Sequence, residues 1–165
     1  MRTFVVQTFW IPTGSMEPTL AGGDRIAVNK LAYRLGSPGR GDVVVFHRPP
    51  LMPSTGEAFL VKRVVATGGE TVSIRNGTVR IDGEALTEPY IHGLPTTPQV
   101  SCPVVPPTAG IDTAAGFTVP DGSVLVMGDN RTDSTDGRCF GPIDEDDIVG
   151  RAEVVTWPLG RLSKL

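Results

Sequence analysis

The sequence predicts an all-β fold: antiparallel sheets forming a β-core, with a small inserted lobe and little helix. Three observations carry this. Short period-2 or β-branched runs recur at Phe4–Val6, Val43–Phe46, Phe59–Val65, Thr71–Arg75, Thr78–Ile81, Ser123–Met127 and Ala152–Thr156. Turn dipeptides separate them, among them Pro38-Gly39, Gly68-Gly69, Asp82-Gly83 and Asp121-Gly122. The chain also holds 20 glycines and 15 prolines in 165 residues, a composition that suits many turns and disfavours a helical bundle.

Taken in order, the first run opens a strongly apolar stretch, Met1–Ile11. It is too short to cross a bilayer, and it lacks the leading basic run and A-x-A cleavage site of a complete secretory signal. A short helix is expected at Arg25–Leu35. Asn76-Gly77, between TVSIR and TVRID, is a two-residue hairpin signal. Gly93–Gly110 carries Pro95, Pro98, Pro103, Pro106 and Pro107, so it cannot be a central strand and reads as a long surface loop. These features place the core at residues 1–81 and 121–165 and the small lobe at 82–120.

Charge narrows the function. A net charge of −3 argues against phosphate neutralisation and hence against nucleic acid as a partner. The two histidines, His47 and His92, lie far apart without ligand spacing, so no metal and no cofactor are expected. Cys102 and Cys139 allow one disulfide or two free thiols, and the sequence leaves that choice open.

Three segments hold residues suited to chemistry. In Ile11–Leu20, Pro12, Gly14 and Pro18 enforce an irregular backbone around Ser15, which suits an exposed hydroxyl beside free N–H groups. The plainer alternative is a serine N-cap. In Phe59–Val65, strand alternation sets Lys62 beside Leu60 and Val64, and Arg63 among Phe59, Val61 and Val65. A lysine buried there would favour its neutral form; the alternative is an edge strand whose lysine snorkels to water. Gly128–Gly141 is dense in small polar residues. It reads as a turn held by Asp–Arg pairing, because its spacing does not fit a calcium loop.

Together, GSMEPTL around Ser15, RGDVVVF at Arg40–Phe46, LVKRVVA at Leu60–Ala66 and GDNRTDSTDGRCFG at Gly128–Gly141 resemble the ordered boxes of the type I signal peptidases. These are membrane-anchored bacterial serine proteases with a Ser–Lys dyad. Gly150-Arg151-Ala152 and Trp157-Pro158 resemble the family's closing strand, so the likeness runs from Phe9 to Pro158.

The resemblance implies Ser15 as nucleophile and Lys62 as general base. It implies an oxyanion hole from the Thr13 hydroxyl and the Ser15 N–H, although many members carry serine at the Thr13 position. It implies that Ser134 hydrogen-bonds and aims Lys62, that Asp136 and Arg138 form a supporting ion pair, and that Asp129 and Arg131 hold the same loop. Phe9, Ile11, Pro12, Leu60 and Val61 would line a shallow cleft for small residues. In ATGGET the family's usual acid is replaced by Glu70, with no catalytic effect expected.

The implied activity is removal of signal peptides after A-x-A, with exported preproteins and membrane lipid as partners and a monomeric enzyme. The implied place is the outer face of the bacterial cytoplasmic membrane, with an anchor lying before the first residue. Two other readings are a specialised maturation peptidase for pilin or conjugation proteins and a non-catalytic β module that binds peptides. Loss of cleavage in Ser15→Ala would separate the enzymes from the module.

Overall fold

The computed structural model describes residues 5–52, 56–98, 102 and 107–165. Twelve strands form two sheets, and every strand pair is antiparallel.

The first sheet contains β1 (Val6–Trp10), β2 (Arg25–Asn29), β3 (Val43–His47), β4 (Phe59–Thr67), β9 (Ser123–Met127), β10 (Ile143–Asp144), β11 (Ile148–Trp157) and β12 (Ser163–Lys164). Its order is β1-β2-β11-β3-β4-β9-β10, with β12 paired to β11. The second sheet contains β5 (Thr71–Arg75), β6 (Thr78–Ile81), β7 (Glu84–Ala85) and β8 (Phe117–Thr118), ordered β7-β6-β5-β8. The lobe boundary drawn at Asp82 therefore falls in the turn between β6 and β7, inside this sheet.

Apolar alternation explains the packing. Val43 and Val45 point to one side of β3 and gather Ile11, Met16, Leu20, Ile26, Val28 and Val155. Val44 and Phe46 point to the other side, against Val64, Val126 and Phe140. A third cluster joins the two sheets: Val65, Leu125 and Met127 of the first meet Val72, Ile74, Val79 and Ile81 of the second.

Several sequence expectations change in detail. Arg25–Leu35 is not a helix. Ile26 and Val28 are fully buried on alternate positions of β2, which pairs on both edges with β1 and β11. That pairing satisfies the backbone of an alternating β-branched segment better than a lone short helix would. The Asn29 side chain then accepts from the Leu31 N–H, turning the chain out of the strand.

The first strand lies at Val6–Trp10 rather than Phe4–Val6, and Phe4 falls outside the described residues. A short helix, α1 (Gly137–Phe140), occupies a segment read as loop.

The hairpin at Asn76-Gly77 forms as read, both residues having positive φ. In the proline-rich stretch the described residues form no strand, yet Thr96 and Thr108 are buried, so it is not wholly a surface loop. Cys102 and Cys139 form a disulfide spanning 37 positions, which fastens this stretch to α1.

Candidate active site

Ser15 sits where β1 has ended and the chain turns back. The Glu17 N–H donates to Gly14 O and the Leu20 N–H to Met16 O, closing a turn whose apolar residues Met16 and Leu20 are buried. The serine itself is half-buried, and its backbone N–H makes no hydrogen bond among the described residues.

The loop after β9 holds this turn from behind. The Asn130 N–H donates to Ser15 O at 3.0 Å, and Asn130 Nδ2 donates to Gly14 O at 3.1 Å. Gly128 lets the two segments approach, because an added Cβ would overlap Ser134 Oγ and the Ser15 carbonyl oxygen.

Lys62 comes from the middle of β4, opposite Val44 on β3. It is 4% exposed, and its Nζ donates to Ser15 Oγ at 2.6 Å. Burial lowers its pKa to about 8, against the opposing pull of Asp136, Glu57 and Asp129. A lysine within hydrogen-bond reach of a hydroxyl, with a pKa near 8 in place of 10.5, holds a far larger neutral fraction near pH 7 to 8 than a solvated lysine and can take that hydroxyl's proton. The Thr13 hydroxyl donates to Ser15 Oγ at 3.4 Å, so it stands beside that hydroxyl on the solvent side.

Around this pair lies a shell of buried charge. Asp136 caps α1 and accepts from the N–H groups of Gly128 and Arg138 and from the Arg138 guanidinium. Burial pushes its carboxyl up, but those bonds outweigh burial and hold it below its ordinary value. Arg138 also donates to the carbonyls of Thr97 and Arg131.

Asp129 is fully buried and takes both Nε and Nη2 of Arg63, together with the Thr19 hydroxyl. Arg131 is fully buried as well; it donates to Gly128 O and Thr96 and pairs with Glu88. The Tyr90 ring stacks on Arg63, 4.0 Å from the guanidinium carbon.

These contacts bear directly on identity. A family model described as signal peptidase, peptidase S26, matches residues 1–157. The chain belongs to this family. It is 40% identical over 169 residues to a probable signal peptidase I-1 of a Synechocystis strain, covering all of this chain and 78% of that one. It is 40% identical to the signal peptidase I of Leptolyngbya laminosa, over all of this chain and 75% of that one. With the signal peptidase I of Mycobacterium tuberculosis the identity is 38%, over 98% and 68% of the two chains. A solved signal peptidase I from Enterococcus faecalis V583 aligns with 28% identity and a TM-score of 0.48, covering 69% of this chain and 95% of that one. Membership makes the chain a serine peptidase.

The structure brings most of the expected site residues of this peptidase together. Phe9, Ile11, Pro12, Leu60 and Val61 all line one narrow cleft of about 50 Å³ with Thr13, Ser15 and Lys62. Phe59 and Glu57 line it too, unforeseen from sequence, and the Phe9 and Phe59 rings meet edge to face at 5.5 Å. Met16 and Ile11 form its floor, being shared with the apolar core.

One expected contact differs. Ser134 Oγ is buried without a hydrogen-bond partner, while Lys62 Nζ is turned to Ser15. Asp129 and Arg131 tie the loop to other segments, Asp129 binding Arg63 and Arg131 binding Glu88.

Glu88 and Tyr90 were missed because they lie in the lobe, to which no chemistry had been given. A charge count gives no clue to Glu88, because the recognised segments also hold Glu17, Asp42 and Asp133 as candidate partners for the arginines.

At the substituted position after β4, Glu70 accepts from both the N–H and hydroxyl of Thr67 and pairs with Arg40. The turn is thus preserved with a glutamate. Among the described residues no cluster of metal-binding side chains occurs.

Proposed function

We propose that this chain is a signal-peptidase-I-type endopeptidase. On this reading it cuts signal peptides from exported preproteins after a small residue, with Ser15 as nucleophile and Lys62 as general base. The observation that carries the reading is the 2.6 Å approach of a buried lysine, its pKa lowered to about 8, to the hydroxyl of Ser15.

Neutral Lys62 takes the Ser15 proton as Oγ attacks the scissile carbonyl. The developing oxyanion is met by the Ser15 N–H and the Thr13 hydroxyl. Lys62 then gives its proton to the departing amine, and the peptide N-terminal to the cut stays on Ser15 as an ester. A water activated by Lys62 hydrolyses that ester and restores the serine. Asp136, Arg138, Asp129 and Arg131 act one step away, by fixing the loop that backs Ser15.

The narrow apolar cleft supports a preference for small side chains beside the cut, because its walls of Phe9, Ile11 and Val61 leave little room. A peptide-binding module without catalysis would have no use for a buried lysine, which costs stability.

Membrane lipid is a fitting second partner. Trp10 and Trp157 are both opposite Arg25 across β1, β2 and β11, so the three share one face, and both indoles are more than half exposed. Leu159 and Leu162, shortly after β11, are exposed as well. Indoles flanking a cation suit a bilayer interface, consistent with work at the outer face of the cytoplasmic membrane. Among the described residues no helix is long and apolar enough to cross a membrane.

The test is cleavage of a synthetic peptide ending its signal region in Ala-x-Ala, with lipid present and products read by mass spectrometry. A single cut after the second alanine is expected. Ser15→Ala and Lys62→Ala should each lower turnover by a factor on the order of 10³ or more. Undiminished cutting by Ser15→Ala would overturn the mechanism.

A further inference from the structure

The cleft does not end at the nucleophile. Ser15 and Lys62 also line a second cavity of about 260 Å³, whose lining adds Gly14, Met52, Asp133 and Thr135. Where the first cavity is walled mainly by apolar side chains, the second carries two carboxylates, Glu57 and Asp133. Glu57 stands at the junction, lining both.

The charge of this second half is not cancelled. Asp129, Asp136 and Glu88 are each held by an arginine, but neither Glu57 nor Asp133 forms an ion pair among the described residues. The one basic side chain lining the cavity is Lys62, which must be neutral to act as base. When the dyad is ready to react, the cavity is therefore negative, in a recess where low-dielectric walls concentrate the field.

Acyl transfer at Ser15 divides the substrate in two. If small apolar residues before the cut occupy the narrow half, as the proposed function requires, the departing half passes through the acidic one. A carboxylate facing the first residues beyond the cut attracts a cationic side chain there and repels an anionic one.

We propose that Glu57 and Asp133 make this second cavity a specificity subsite for positively charged side chains just after the scissile bond. The proposal rests on the signal-peptidase reading and adds a selection the apolar cleft does not supply.

The experiment uses three peptides with one Ala-x-Ala signal region and lysine, glutamine or glutamate at the first three positions after the cut. Values of kcat/KM are compared in wild type, Glu57→Gln, Asp133→Asn and the double variant, each as a ratio between peptides. A change that affects all peptides equally, such as an altered Lys62 pKa, then cancels. Wild type is expected to favour the lysine peptide over the glutamate one by roughly three- to tenfold at low salt, a preference that added salt shrinks. The ratio should fall towards one in the double variant. Equal cutting of all three peptides by wild type overturns the subsite while leaving the Ser–Lys reading intact. An unchanged ratio in the double variant overturns the role of these two carboxylates. Failure to cut any peptide overturns both readings.

Discussion

Lys62 is the residue on which sequence and physics meet most tightly. Its pKa is lowered to about 8 because its ammonium is taken out of water on β4. The proposed mechanism needs the neutral form, so kcat/KM for the Ala-x-Ala peptide should rise with pH and level off above an apparent pKa near 8. A profile still climbing at pH 10 would contradict that.

The same burial costs stability. Since the folded pKa lies below the unfolded value of 10.5, the unfolded chain binds the extra proton between about pH 8 and 10.5. Stability from this group therefore rises with pH across that window, by about 3 kcal/mol, and below it the cost stays in full. Lys62→Met should accordingly be inactive yet unfold at a higher temperature than wild type near pH 7, as thermal denaturation would reveal.

Asp136 works in the opposite sense. Its folded pKa is depressed, so its contribution is present above the ordinary carboxylate range and is lost as pH falls through the folded value. Asp136→Asn leaves Arg138 buried without its charge partner and should cost about 3–5 kcal/mol in denaturant unfolding.

At the level of elements, the site is a meeting of three short segments that no single strand or helix contains. The turn after β1 carries Ser15, β4 carries Lys62, and the loop after β9 with α1 fixes their separation. Gly128 is the close point between the first and third. Gly128→Ala should push the Ser15 carbonyl away from the loop and reduce kcat more than KM, measured on the same peptide.

The disulfide ties the stretch at Cys102 to α1, whose cap is Asp136. Closing a loop of 37 positions is worth about 4 kcal/mol in the chain-entropy model, so Cys102→Ser with Cys139→Ser should lower stability by an amount of that order. An unchanged denaturant midpoint would show that the link adds nothing to the folded state.

At the scale of the whole molecule, the first sheet carries both the apolar cleft, lined from β1 and β4, and an exposed face where Trp10 and Trp157 flank Arg25 across β1, β2 and β11. Replacing both tryptophans with alanine should weaken sedimentation with anionic lipid vesicles several-fold while leaving the cut position unchanged. Equal binding of both proteins would remove this face as the lipid contact.

The sequence by itself determined the β class, the hairpin at Asn76-Gly77, and which residues gather in the turn and cleft around Ser15. Those features are local: alternation of Val43–Phe46, a turn dipeptide, and motif segments each recognisable within a few residues. The tertiary structure alone decided that Arg25–Asn29 is a strand, because only its neighbours β1 and β11 supply the hydrogen bonds that outcompete a helix. It alone chose the partners of the buried charges, giving Arg63 to Asp129 and Arg131 to Glu88, and it joined the two cysteines. Opposite charges attract whichever chain segments carry them, so spacing along the sequence does not say which pairs form. Only folding brings Glu88, Asp129 and the two arginines into one dry interior, where each charge must find a partner.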